Sequence, residues 1–190
     1  MRPDVSALTQ ALTLPNGTVL PNRIAKAALS EFSPAFNAAY AVGMCAKFGL
    51  PGDAEEDDVL IAAFLRLLEQ DAADYTLAFR RLCDAAGGDV TALRAMFSEP
   101  AALDGWIAKW RQRRDPSSPA AAALRRVNPA FIPRNHRIEA VIAAAVNGDF
   151  APFEQLVTVL ARPYDEQPQF AAYAEPPRPE QRVLQTFCGT

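Results

Sequence analysis

Asp74-Tyr75-Thr76-Leu77-Ala78-Phe79-Arg80-Arg81-Leu82-Cys83-Asp84-Ala85-Ala86-Gly87-Gly88 is the stretch on which the fold turns. Tyr75, Ala78, Phe79 and Leu82 fall at i, i+3, i+4 and i+7, which is one face of a 3.6-residue period. The spacing predicts a helix from about Asp74 to Ala86, stopped by Gly87-Gly88. Its apolar face needs partners, and the flanking sequence supplies them.

Upstream, the acidic run Asp53 to Asp58 suits the positive end of a helix dipole, and Leu60, Ile61, Phe64, Leu65 and Leu68 follow as an apolar stripe. Before it, Ser33 reads as an N-cap with Pro34 at the first helical position. Phe36, Tyr40, Met44 and Phe48 then step by four until Gly49 and Pro51-Gly52 break the helix. Downstream, short helices are expected around Val90–Phe97 and Ala101–Arg114, the second lined by Leu103, Trp106, Ile107 and Trp110. Asp115 to Pro119 reads as a loop. Beyond Asn128-Pro129 a helix fits Asn135 to Val146, ended by Asn147-Gly148. Another fits Pro152 to Leu160, with Asp149 placed to cap it.

The two ends differ from this helical body. From Arg162 onward, Pro163, Pro168, Pro176, Pro177 and Pro179 exclude a long helix. An extended tail is expected there, pinned by Tyr164, Phe170, Tyr173 and Phe187. Near the start, Pro15-Asn16-Gly17 between Ala11–Leu14 and Thr18–Leu20 is a hairpin signal, because Asn and Gly both tolerate positive φ. Arg23 to Leu29 fits a strand or a short helix. The fold class is therefore mainly α, an irregular helical bundle with a short N-terminal β-hairpin and an extended Pro-rich C-terminal tail.

Composition narrows the class of function. With 190 residues, half of them hydrophobic and 22% charged, the chain can bury a core. A net charge of −3 gives no general attraction to nucleic acid or anionic membrane. No signal peptide follows Met1-Arg2-Pro3-Asp4, and no apolar stretch is long enough to span a bilayer. Cys45, Cys83 and Cys188 are odd in number and far apart, which argues for a reducing compartment. A cytoplasmic location is expected, with no nucleic-acid or membrane partner.

Chemistry-bearing motifs are sparse. His136 is the one histidine, so there is no HExxH zinc helix, and no CxxC, GxGxxG, GxxxxGK[ST] or GxSxG pattern occurs. His136-Arg137-Ile138 and Asp149-Phe150-Ala151 imitate kinase motifs, but a helix start and a cap account for them better. Eight basic residues lie between Trp106 and Arg137 against Asp115 alone. Beside two tryptophans they could bind single-stranded nucleic acid. A solvated or ion-paired helix face opposing the acidic Asp53–Asp58 run is the preferred reading, since the chain is not basic overall. Cys45 and Cys83 fall on apolar helix faces as core residues. Cys188, third from the carboxyl end, is either an inert surface thiol or a redox-active one, depending on its neighbours. No catalytic, cofactor-binding or metal-ligating residues are assigned.

Two resemblances add to this reading. Arg125-Arg126-Val127-Asn128-Pro129-Ala130-Phe131-Ile132-Pro133-Arg134-Asn135-His136-Arg137 resembles the C-terminal region of the selenoprotein O, or YdiU, family. So do Gly148-Asp149-Phe150, Leu160-Ala161-Arg162-Pro163-Tyr164, Asp74-Tyr75-Thr76 with Phe79-Arg80, Lys47-Phe48-Gly49-Leu50 and the ending Phe187-Cys188-Gly189-Thr190. The resemblance covers roughly residues 32–190. It implies part of a kinase-like protein adenylyltransferase that moves AMP from ATP to Ser, Thr or Tyr hydroxyls. ATP and Mg²⁺ are implied for the full-length family, held upstream of the matched part, with no cofactor for this chain alone and no transferase activity of its own. It also implies redox control at Cys188. Arg134, Asn135 and His136 either contact the catalytic domain or order a helix start. The expected partners are a kinase-like catalytic domain or protein substrates, and a stand-alone helical interaction module is the alternative. Residues 1–31 resemble instead the beginning of an Old Yellow Enzyme-type flavin oxidoreductase, carried by Leu12 to Leu20 and Pro21 to Ala28. Such a barrel needs on the order of 250 residues, so no FMN site is expected. The resemblances divide the chain at residues 31/32 into a hairpin segment and a helical region.

Overall fold

In the computed structural model, residues 12–13, 19–20, 24–114 and 120–183 are described. They form β1 (Leu12–Thr13), β2 (Val19–Leu20), α1 (Ile24–Phe48), α2 (Glu55–Gln70), α3 (Tyr75–Ala86), α4 (Thr91–Arg94), α5 (Pro100–Arg113), α6 (Ala120–Arg125), α7 (Asn135–Val146) and α8 (Ala151–Leu160). Two 3₁₀ turns, Pro168–Tyr173 and Pro179–Gln181, follow. The described chain is mainly helical. Its contacts divide it into residues 1–44 and residues 45–190.

In the first unit, β1 and β2 pair antiparallel, Leu12 opposite Leu20 and Thr13 opposite Val19. The turn expected at Asn16-Gly17 lies outside the described residues. α1 begins at Ile24, not at Ser33, and carries Pro34 in its interior. Proline lacks an N–H and crowds the carbonyl four residues back, so it normally marks a helix start. Here Ala25, Lys26, Ala27, Ala28 and Leu29, all good helix formers, continue the helix on its N-terminal side. The helix also runs unbroken through residues 31/32. Phe36 and Tyr40 are about half exposed and stack at 6.2 Å.

The second unit is built around α3. Asp74 caps it, its carboxylate accepting from the Leu77 N–H at 2.8 Å. Gly87 and Gly88 close it, Gly88 at φ +110° where a side chain would be strained. Ala78, Phe79, Leu82, Cys83 and Ala85 are buried. α3 packs on α6, and α2 packs on α5. The centre is aromatic. The Phe48 ring meets Phe64 edge-on at 5.4 Å and Phe79 at 4.9 Å, and Trp106 lies 4.6 Å from Phe64. Trp106 and Trp110 stack at 5.4 Å. Each such pair adds about 0.5–1.5 kcal/mol beyond burial. Both indole N–H groups donate to backbone carbonyls at 2.8 Å, Trp106 to Leu60 and Trp110 to Phe48. These bonds tie α5 to α2 and to the end of α1.

A smaller core of Ala130, Phe131 and Val159 takes Leu160, Phe170, Tyr173 and Ala174 against it. Ala130 and Phe131 N–H both donate to the Pro163 carbonyl, at 2.8 and 3.1 Å. The tail is not extended as expected. Pro168 and Pro179 each open a 3₁₀ turn, since proline at the first helical position gives up no bond. Phe170 and Tyr173 pin that tail, Tyr164 is exposed, and Phe187 lies outside the described residues. α6 is the helix the sequence does not announce. Its run of four alanines offers no periodic stripe, yet its Leu124 is buried.

Candidate functional site

The Arg125–Arg137 stretch is a polar knot that draws in side chains from α1 and α3. Asn128 is fully buried. Its Nδ2 donates to the Lys47 carbonyl at 2.8 Å, and its Oδ1 accepts from Lys47 Nζ at 3.1 Å. Lys47 also lies over the Phe79 ring at 5.0 Å, and burial pulls its pKa below the ordinary lysine value. Cys83 approaches Asn128 at 3.8 Å and hydrogen-bonds the Phe79 carbonyl. Burial raises the thiol pKa of both Cys83 and Cys45, and both are free, so these are core residues rather than nucleophiles.

Arg80 leaves α3 on the same side. It donates to the carbonyls of Asn128 at 3.0 Å, Tyr164 at 3.2 Å and Arg125 at 3.3 Å, and to Glu166 at 2.5 Å. A guanidinium with its five fixed N–H donors can serve four acceptors at once, which a lysine cannot.

Of the expected contact residues, Arg134 is buried and paired bidentately with Asp74 at 2.8 and 3.0 Å. Asn135 is exposed as the first residue of α7. His136 is buried, and among the described residues its Nδ1 has no hydrogen-bond partner. Burial, then the charges of Arg137 and Arg134, hold its pKa below the ordinary histidine value. The structure thus brings Arg134 and His136 to the start of α7 and spends the Arg134 fork inside the chain. Cys188 lies outside the described residues.

Asp74 gives this knot an acid-sensitive edge. Burial pushes its pKa up, but the Arg134 and Leu77 hydrogen bonds and the Arg134 charge outweigh that and leave it below the usual carboxylate range. The pair's contribution is therefore present above about pH 4 and lost as pH falls through the lower folded-state value. Asp74→Asn keeps a capping oxygen but removes the charge. It is expected to cost about 2 kcal/mol at pH 7, and that difference from wild type should shrink below about pH 4. Urea unfolding of both proteins across pH 3 to 7 measures it; a difference independent of pH would count against the pair.

Part of the basic segment is ion-paired. Arg113 engages Asp53 and Asp57, and Arg125 engages Asp84. Arg111 donates to the Ala85 carbonyl, Arg114 stacks on Trp110, and Arg137 lies over Tyr173 while donating to the Ala172 carbonyl. Asp57, within the acidic run, is buried and also accepts from Gly52 N–H at 2.8 Å. Asp149 caps α8 through the Ala151 N–H at 3.1 Å. Both kinase-like fragments are thus a helix start and a cap. Among the described residues no cluster of three His, Cys, Asp or Glu side chains is placed to hold a metal, and no helix is long and apolar enough to cross a membrane.

Lys47 and Arg80 are polar residues that local pattern did not single out. Their partners lie far along the chain, 81 residues for Lys47 and Asn128 and 86 for Arg80 and Glu166. Only the family resemblance touched Lys47 and Arg80, through Lys47-Phe48-Gly49-Leu50 and Phe79-Arg80.

Comparison with known proteins agrees with that resemblance. The family model for protein adenylyltransferase SelO matches residues 4–161. That span takes in the opening segment that resembles flavin oxidoreductases. Among curated relatives, a protein nucleotidyltransferase YdiU of a Bradyrhizobium species is 57% identical over 172 residues, covering 87% of this chain and 35% of the relative. The proteins of the same name from Rhodopseudomonas palustris and Rhizobium leguminosarum bv. trifolii are 55% and 53% identical, with the same coverage of 87% and 35%. This chain therefore spans about a third of the length of the curated relatives it matches. On the extent of the family match, the chain belongs to the protein adenylyltransferase SelO family.

Proposed function

We propose that this chain is the helical C-terminal part of a protein adenylyltransferase, and that it transfers no AMP by itself. In the longer protein, a kinase-like part holds ATP and Mg²⁺, and a protein Ser, Thr or Tyr hydroxyl attacks the α-phosphorus with release of pyrophosphate. The observation that carries the reading is membership of the family across 35% of the relatives' length. It is supported by the use to which the charged side chains are put. Asp57 is held by Arg113, Asp74 by Arg134, and Arg80 by the Asn128 carbonyl, so these charged groups stabilise the fold rather than face a substrate.

On this reading the partners are the kinase-like domain and, through it, protein substrates. Arg134, Asn135 and His136 lie at a junction between the two parts, and Cys188 has a redox role. The location is cytoplasmic, which the free, buried Cys45 and Cys83 support. Incubation of the purified 190-residue chain with Mg²⁺ and an ATP carrying a labelled α-phosphate is expected to give no labelled protein, while a full-length relative labels itself or a substrate. Label incorporated by the homogeneous chain would overturn the reading.

A second reading, a helical interaction module, is favoured by one observation. Ile142, Val146, Phe150, Phe153 and Val157 on α7, α8 and their turn are all at least half exposed. Exposed apolar side chains in such a group mark an interaction surface. An apolar dye that does not bind the chain would count against it.

A further inference from the structure

α2 presents two faces. Asp57, Leu60, Ile61, Phe64 and Leu68 are buried in the core. On the other side Glu56, Val59, Ala63, Arg66 and Gln70 fall at i, i+3, i+7, i+10 and i+14, a second straight stripe. All five line a groove between α2 and α5, made of two clefts of about 500 and 430 Å³ that share Val59, Leu60 and Lys109. We propose that a second copy of the chain docks in this groove, α2 antiparallel to α2 about a two-fold axis. This contact is separate from AMP transfer and from the apolar group on α7 and α8.

The shape of the groove admits a helix. Val59 stands 63% exposed at its middle. On the α5 wall, a side-chain carbon added at Gly105 would meet nothing within 4 Å. Ala63 and Ala102 keep the floor equally low. Packed helices approach to about 8–10 Å, which small residues at the contact permit.

Charge decides what fills it. Glu56 and Arg66 are exposed, and neither has an ion-pair partner among the described residues. They lie about 15 Å apart along one helix, too far to reach each other. A two-fold axis at the level of Ile61 sets Glu56 of each copy opposite Arg66 of the other, and Val59 opposite Ala63. Opposite charges at the two ends of one stripe are self-complementary in this antiparallel arrangement. A parallel one would set like charges against each other. The remaining unpaired charges of the groove, Glu55 and Lys109, balance, so the copies do not repel there. The α7–α8 surface lacks this property. Residues 138–161 contain Glu139, Asp149 and Glu154 and no lysine or arginine, so they offer a second copy no opposite charge.

The test is sedimentation velocity of the full chain over a hundredfold range of concentration. A reversible monomer–dimer equilibrium is expected, with a dissociation constant on the order of 10–100 μM, as suits a contact of one helix face on each side. Glu56→Arg and Arg66→Glu are each expected to weaken association at least tenfold, since each sets like charges together twice. The double variant exchanges both signs and should recover association to within threefold of wild type, which also shows that the swapped chains fold. Val59→Gln, which removes the central apolar contact without adding charge, should weaken it at least fivefold. A chain that stays monomeric throughout overturns the proposal. So does association that the single swaps leave unchanged, that the double swap fails to recover, or that Val146→Glu on α7 abolishes instead.

Discussion

Replacing Trp110 with alanine is expected to lower the stability of the helical core by roughly 3–5 kcal/mol, the usual cost of deleting a large buried aromatic ring. Trp110 has no exposed surface. It stacks on Trp106, carries the Arg114 guanidinium at 4.7 Å over its ring, and donates its indole N–H to the Phe48 carbonyl. The substitution therefore opens a cavity and orphans a buried carbonyl together. In a protein of this size the midpoint of thermal unfolding should fall by on the order of 10 °C. Trp110→Phe separates the two effects. It keeps most of the ring and loses the hydrogen bond, and should cost about 1–3 kcal/mol. Urea unfolding followed by far-UV circular dichroism measures both. A Trp110→Ala loss below about 1 kcal/mol would mean that the site collapses around the missing ring.

The second large effect is expected at Arg80. Arg80→Met retains the aliphatic stem but removes the donors to the carbonyls of Arg125, Asn128 and Tyr164. An unsatisfied buried acceptor costs about 1–3 kcal/mol. Part of that is recovered where water reaches the outer two, so a total of about 3 kcal/mol is expected. Glu166, 69% exposed, returns to water and adds little. Hydrogen exchange provides a reading that stability alone does not. The Ala130 and Phe131 amides, which bond to Pro163, should lose protection more than the amides of α2. Equal loss in both places would show that Arg80 holds the whole unit rather than the chain's final segments.

Much of this architecture was legible in the sequence because its signals are local. The α3 stripe, the Gly87-Gly88 stop, the Asn147-Gly148 end of α7 and the Asp149 cap each depend on residues within a few positions of one another. The pairing of Arg113 with the acidic run was legible too, since charges of both signs stood out in the sequence. Three features were not. Pro34 imitates a helix start, but the helix-forming residues before it outweigh one lost bond. α6 has no stripe to detect. The knot of Lys47, Arg80 and Asn128 joins partners 48 and 81 residues apart, a distance no window of local pattern covers.

The stacked pair at the centre has a practical consequence. Trp106 and Trp110 are the chain's only tryptophans, and both sit in the same core. Intrinsic fluorescence therefore watches one place. It will report melting of the aromatic centre and stay silent when α7, α8 and the 3₁₀ turns come loose. Emission and ellipticity curves that part company would locate a two-step disassembly in this chain without any label being attached.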